Sequence, residues 1–345
     1  MPAPFRYVTP VAPKEADGRV AAVYRQIAQD FGLARMPLFM TLSPAPDVLA
    51  AVWSLLRESL VAGSASRTDK EVVAVAVSSA NRCPFCVSAH SVLLHATGAH
   101  GLAETVARGD TPADPRHARL FAWGADTRTT GMTAPPVPPD VAAEYIGTAL
   151  TFHFINRMVS ALLTDDVLPG GLQRWRPVRR LAGRMVAGAT RRRHVSGTSL
   201  ALLDGDPADE TPAWAAGSPS GRAMGTAFAA LHKAAARGGE SLSSQARLAV
   251  RDEVDAWDGA HPALTGGWPT DRLSGLPAVD RPGVRLALLA AMAPYRVSDR
   301  DVAEWRSATG VHGDAALVRL LAFGAMTAVT HLLGSDHAEV RQKAM

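Results

Sequence analysis

"RTDKEVVAVAVSSANR", residues 67–82, decides between a helical and a β reading of this 345-residue chain. Its Val/Ala alternation over 72–77 would suit a strand, in which successive side chains point to opposite faces. Against that, Thr68 stands three residues before Glu71, the spacing of a capping box at a helix start. The surroundings are helical as well. In residues 19–33, Val20, Val23, Tyr24, Ile27 and Phe31 recur at three- and four-residue steps and stop near Gly32. Residues 46–61 keep the same period, and further helices are predicted over about 115–127 and 139–163. The stretch is therefore predicted to be a helix, and the fold class all-α.

The composition fits a folded chain: 47% hydrophobic and 20% charged residues, with neither a collagen-like nor a disordered bias. The start, "MPAPFRYVTPVAPKEADGRV", carries prolines and charges where a signal peptide needs an unbroken apolar run, so a cytoplasmic protein is expected. The most apolar stretches fall short of the roughly 20 residues that cross a bilayer, and no membrane association is expected. Of the net charge of +4, much lies in one segment that holds eight arginines between Arg174 and Arg193. Such a run could neutralise phosphates, but it has little aromatic interleaving beyond Trp175, and no nucleic-acid partner is expected.

At this length two domains are the natural division. The segment 118–163 runs from an apolar helix through a polar turn and an Asp-Val start into further helix, and 284–333 repeats that layout. Upstream, "RTDKEVVAVAVSSANRCPFC" corresponds to "LSSQARLAVRDEVDAWDGAH", which has no cysteine. Three parts follow: a helical domain at 1–168, an Arg/Pro/Gly-rich linker at 169–217, and a degenerate second helical repeat at 218–345. The linker is expected to hold one helical turn or two, with Trp175, Leu181, Met185 and Val186 as its apolar anchors.

The only two cysteines, Cys83 and Cys86, form one C-x-x-C. Cys83 followed by Pro84 fits an N-cap and first helical residue, because proline loses nothing where the N–H would be unpaired. Cys86 then lies in the first turn, near the positive end of the helix dipole, which favours a thiolate. His90 is one turn further on, and Glu71 lies on the preceding helix, within reach of the imidazole. Nucleophile, base and orienting carboxylate make one redox reading. A zinc site with His90 and either His95 or His100 is a second, though neither usual zinc pattern is completed. Two inert thiols are a third. His153 and Asn156, one turn apart on an apolar helix, are pocket candidates, whereas His95 and His100 read as surface residues.

The spacing E-x11-C-x2-C-x3-H of Glu71, Cys83, Cys86 and His90 resembles the alkylhydroperoxidase D-like proteins of the carboxymuconolactone decarboxylase family, and the later "FHFINRM" resembles that family's Asn-Arg helix. The resemblance implies an all-helical fold in two tandem copies, the second degenerate, and a homo-oligomer. It implies a peroxidase in which Cys86 attacks the hydroperoxide, Cys83 resolves the sulfenic acid as a disulfide, and Glu71 and His90 relay protons. No cofactor of its own is implied; a lipoyl- or thioredoxin-like dithiol would reduce the pair. Phe85 departs from the pattern, since the best-known members place a histidine or tyrosine there and phenylalanine cannot carry a proton. The alternatives are a family decarboxylase or isomerase acting on a lactone, and a non-catalytic helical interaction protein.

Overall fold

A computed structural model describes residues 4–33, 35–129, 132–166, 169–204, 211–263 and 267–334. Among these residues the chain forms fourteen α-helices, and the only β pairing is an isolated bridge between Phe5 and Leu163. The first half comprises α1 (Gly18–Phe31), α2 (Pro37–Leu42), α3 (Pro46–Leu56), α4 (Arg67–Ala80), α5 (Pro84–Thr97), α6 (His100–Ala107), α7 (Pro115–Asp126) and α8 (Pro139–Leu162). Helix α9 (Arg176–Thr190) stands between the halves, and α10 (Pro219–Gly239), α11 (Ser244–Asp255), α12 (Arg281–Met292), α13 (Asp299–Thr309) and α14 (Asp314–Leu333) make the second.

The stretch 67–82 is a helix, and every residue from Asp69 to Ser78 is buried. A helix covered on all sides needs no polar stripe, which is why its Val/Ala sequence carried no helical period. Its cap is not the predicted one. Ser66 accepts the Asp69 backbone N–H, so the cap lies two residues earlier than Thr68 and leaves the Glu71 carboxylate free for other partners. The approach to α4 is held by Glu144 of α8, which accepts the backbone N–H groups of Ser64 and Ala65 and pairs with buried Lys70 at 2.9 Å. Gly63 passes so close, at φ 96°, that a Cβ there would lie 2.3 Å from the Glu144 carboxylate.

The 169–217 segment, expected as a linker with one helical turn or two, holds a 15-residue helix, α9. Helix α9 lies along α5, burying Arg179, Gly183, Val186 and Thr190 at helical spacing. Gly183 allows the close approach: a Cβ there would stand 2.6 Å from the His95 Cβ and 2.9 Å from the Val92 carbonyl. Of the four expected anchors only Val186 faces inward; Trp175, Leu181 and Met185 are 64%, 60% and 76% exposed. The buried stripe uses an arginine, a glycine and a threonine, residues that give no apolar signal.

The halves share one core. Apolar residues from Val8 to Leu332 form a single cluster, with α10 packed on α3 and α14 on α8. Helix α14 is long and apolar enough to span a bilayer, but it is buried against α8, α10 and α12. Packing order repeats across the halves: α4 lies on α7 and α8, and α11 lies on α12 and α14.

Candidate active site

The chain leaves α4 through Asn81 and Arg82, the latter in the left-handed region at φ 54°, and turns into α5. As predicted, Cys83 is the N-cap of α5 and Pro84 its first residue. The Cys83 amide donates to the Ser78 carbonyl at 2.9 Å, and its carbonyl receives the Val87 amide at 3.1 Å, so the joint between the helices is fixed by backbone bonds. Both thiols are free and buried, Cys83 at 1% exposure and Cys86 at 4%.

Their acidities diverge. Burial pushes the Cys83 thiol up, but hydrogen bonds from the Cys86 thiol and backbone amide and from Ser160 outweigh it, and the net direction is down. Burial together with the neighbouring Cys83 sulfur pushes Cys86 well above the ordinary thiol range, with Asn156 acting against that. The pair is therefore asymmetric, with Cys83 the more readily deprotonated of the two thiols.

One turn beyond Cys86, His90 Nδ1 meets the Glu71 carboxylate at 2.6 Å, and the other carboxylate oxygen accepts from Arg67 Nε at 2.7 Å. Glu71 is fully buried, which alone would raise its pKa, yet Arg67 and His90 hold it below the usual carboxylate range. The His90 ring meets Phe152 edge to face, centroids 4.3 Å apart, and so is fixed in orientation. Phe85 packs into the core beside the cysteines.

Asn156 and His153 have different positions. Asn156 touches Cys86, donates to Ser78 Oγ at 3.0 Å and accepts from Asn81 at 3.0 Å. His153 lies one bond further back: Nδ1 receives the Asn81 amide at 3.1 Å, and Nε2 donates to the Thr127 hydroxyl at 2.9 Å, because that hydroxyl already donates to the Gly124 carbonyl. Burial and the nearby Arg157 and Arg128 hold its pKa well below the ordinary histidine value, so the ring is neutral. His95 is not a surface residue. It is 2% exposed, bonded to Glu104 at 2.8 Å, and Glu104 is clamped in turn by Arg179 of α9. His95 and His100 contact each other, away from the thiols.

Three partners escaped the sequence reading. Arg67 could have been found, since it stands four residues before Glu71 on one helix. Ser160 stands four residues after Asn156, a spacing that puts both side chains on the α8 face that meets the cysteines. Asn81 left no signal, because its role depends on segments 47 to 75 residues away.

Residues 46–102, from α3 into α6 and including all four motif residues, match the carboxymuconolactone decarboxylase family. Over 330 residues the chain is 41% identical to a protein of Mycobacterium tuberculosis named alkyl hydroperoxide reductase, an alignment covering 94% of this chain and 93% of that relative. The likeness thus extends through α9 and the cysteine-free half.

Proposed function

The chain belongs to the carboxymuconolactone decarboxylase family, and from that premise we propose that it is a thiol-dependent peroxidase that reduces organic hydroperoxides through Cys83 and Cys86. The observation that carries the reading is the buried Glu71–His90 pair, 2.6 Å apart, on the turn of α5 that follows Cys86. A thiol whose pKa is raised cannot act without a base, and His90, oriented by Glu71, is that base. The relative's name, alkyl hydroperoxide reductase, supports the same class of substrate.

In the first step His90 takes the Cys86 proton, the sulfur attacks the outer peroxide oxygen, and the O–O bond breaks. The alkoxide leaves as an alcohol with the proton from His90, and Cys86 is left as a sulfenic acid. In the second, the Cys83 thiolate attacks the Cys86 sulfur, the S–O bond breaks, and the hydroxide that leaves takes a proton from solvent to become water. An external dithiol, lipoyl- or thioredoxin-like, then exchanges with the disulfide and restores both thiols. Cys86 is assigned the first attack because it is the more open of the two sulfurs and has the base beside it.

The decisive experiment is stopped-flow oxidation of the reduced protein by an organic hydroperoxide, in wild type, Cys83→Ser and Cys86→Ser. The expected result is fast oxidation of Cys83→Ser, with a sulfenic acid trapped by dimedone at Cys86, and slow oxidation of Cys86→Ser. Fast reaction of Cys83 in Cys86→Ser reverses the roles; neither thiol outpacing free cysteine removes the peroxidase reading. We also place the protein in the cytoplasm as a homo-oligomer. Support for assembly is the outward row of Trp175, Leu181 and Met185 on α9, and sedimentation velocity tests it: a monomer at micromolar concentration rejects it.

A further inference from the structure

Behind the dithiol, where the halves meet, two arginines are buried with no acid beside them. Arg157 is 2% exposed and Arg128 9%, and among the described residues neither makes an ion pair. Arg157 uses Nε on the Ala291 carbonyl at 2.7 Å and one terminal nitrogen on the His153 carbonyl at 2.6 Å. Arg128 donates to Asn81 Oδ1 at 2.5 Å and to His261 Nδ1 at 3.2 Å. Each keeps one buried N–H group without a partner, Nε of Arg128 and the second terminal nitrogen of Arg157. Their guanidinium carbons lie 5.2 and 5.7 Å from the centroid of one ring, Trp257.

Among the described residues nothing negative balances them. His261 donates from Nε2 to the Ala80 carbonyl at 2.9 Å, so its Nδ1 is the acceptor for Arg128 and for the Tyr295 hydroxyl at 3.2 Å, which makes the ring neutral. Arg82 adds a third positive charge. Guanidinium groups stay protonated even when buried, and a buried charge without a counter-ion is expensive to keep. The two arginines, with Asn81, His261, Ala291, Met292 and Pro294, line a narrow cleft that is closed, with no free space for a water molecule.

We infer that this cleft is an anion site, in which Arg128 and Arg157 together hold one small oxyanion of the phosphate or carboxylate class through their unpaired N–H groups. Arginine's planar fork suits such an anion, and the low-dielectric surroundings strengthen each charge-assisted bond. Because the cleft is closed, occupancy requires the ends of Arg128, Arg157 and Met292 to part. The site does not depend on the thiols, although Asn81 joins the two: it accepts from Arg128 and donates to Asn156, which touches Cys86.

The test is equilibrium dialysis of the full chain against radiolabelled inorganic phosphate at fixed ionic strength. One saturable phosphate per chain is expected, weakened at least about tenfold in Arg128→Gln and unchanged in Arg180→Gln, which alters only the arginine face of α9. Competition by acetate distinguishes the sources: displacement means that the site accepts carboxylates, and no displacement means that it is a phosphate site. Should Arg128→Gln fail to fold, Arg128→Lys keeps the charge but loses the fork, and weaker phosphate binding is still expected. Absence of saturable binding, unchanged affinity in both Arg128 variants, or loss with Arg180→Gln alone overturns the inference.

Discussion

Helix α4 leads into the dithiol and α5, whereas after α11, its counterpart in the second half, the described residues of 256–280 form turns and a short 3-10 helix at Thr270–Leu273. In the register that pairs "RTDKEVVAVAVSSANRCPFC" with "LSSQARLAVRDEVDAWDGAH", His261 stands opposite Cys86. The second half has helices that bury Val250, Val254 and Leu286, and no cysteine. From it, Trp257 and His261 reach across to the back of the first half. The two halves share one core, but the cysteines lie in the first alone.

The contrast breaks most directly at Cys86. Cys86→Ser should reduce hydroperoxide turnover by about a thousandfold or more, as loss of a nucleophile does, with the circular-dichroism spectrum unchanged; turnover surviving in that variant would assign the first attack to Cys83. The converse concerns packing. Gly238 of α10 lies where a Cβ would approach the Arg319 carbonyl of α14 to 1.9 Å. Gly238→Val should therefore unfold the chain, or cost several kcal/mol by about the overpacking scale, as urea denaturation would measure; a neutral result would mean that the second half packs more loosely than described. Within the active copy, Glu71→Gln removes the carboxylate that orients His90 and should slow peroxide reduction about a hundredfold, the range of general base catalysis, while leaving dithiol–disulfide exchange with a small disulfide less affected.

Acid sharpens the comparison because each half holds one strongly shifted histidine. His153 is held well below 6.5, and burial takes His261 to about 4. Both folded values lie below the unfolded one, so the unfolded chain takes up protons first. Their contribution is complete above pH 6.5 and is lost as pH falls, at up to about 1.4 kcal/mol per pH unit for each ring. Melting temperature should decline from pH 6.5 to 4.5, before Glu71 begins to matter, and His261→Gln should flatten part of that decline; an unchanged slope would remove His261 from the account. The smallest effect is expected at Phe85. Phe85→Tyr, which adds one hydroxyl beside the thiols, should raise the peroxidase rate less than tenfold, by about what one extra proton-transfer group provides at the low end.

Where local chemistry decides structure, the sequence was readable: the stripe of α1 and the Cys83-Pro84 start of α5 stand where residue type and spacing put them. The cap of α4 was misread because Thr68-x-x-Glu71 and Ser66-x-x-Asp69 offer competing spacings in one turn, and the structure uses the latter. Helix α9 was missed because its buried face is built from Arg179, Gly183 and Thr190, whose burial depends on Glu104 and on backbone of α5. His95 was misplaced for the same reason. The unbalanced pair Arg128 and Arg157 left no trace, since only the meeting of α7, α8 and the 257–261 segment brings them to one indole.

The hydrogen bond from His261 to the Ala80 carbonyl spans 181 residues of sequence to reach the segment just before Cys83. A covering contributed by a separate protein would be lost on dilution, but one on the same chain meets its target at a fixed effective concentration. The back wall of the dithiol site is therefore independent of how much protein is present, and specific activity should hold into the nanomolar range wherever assembly contributes no part of the site.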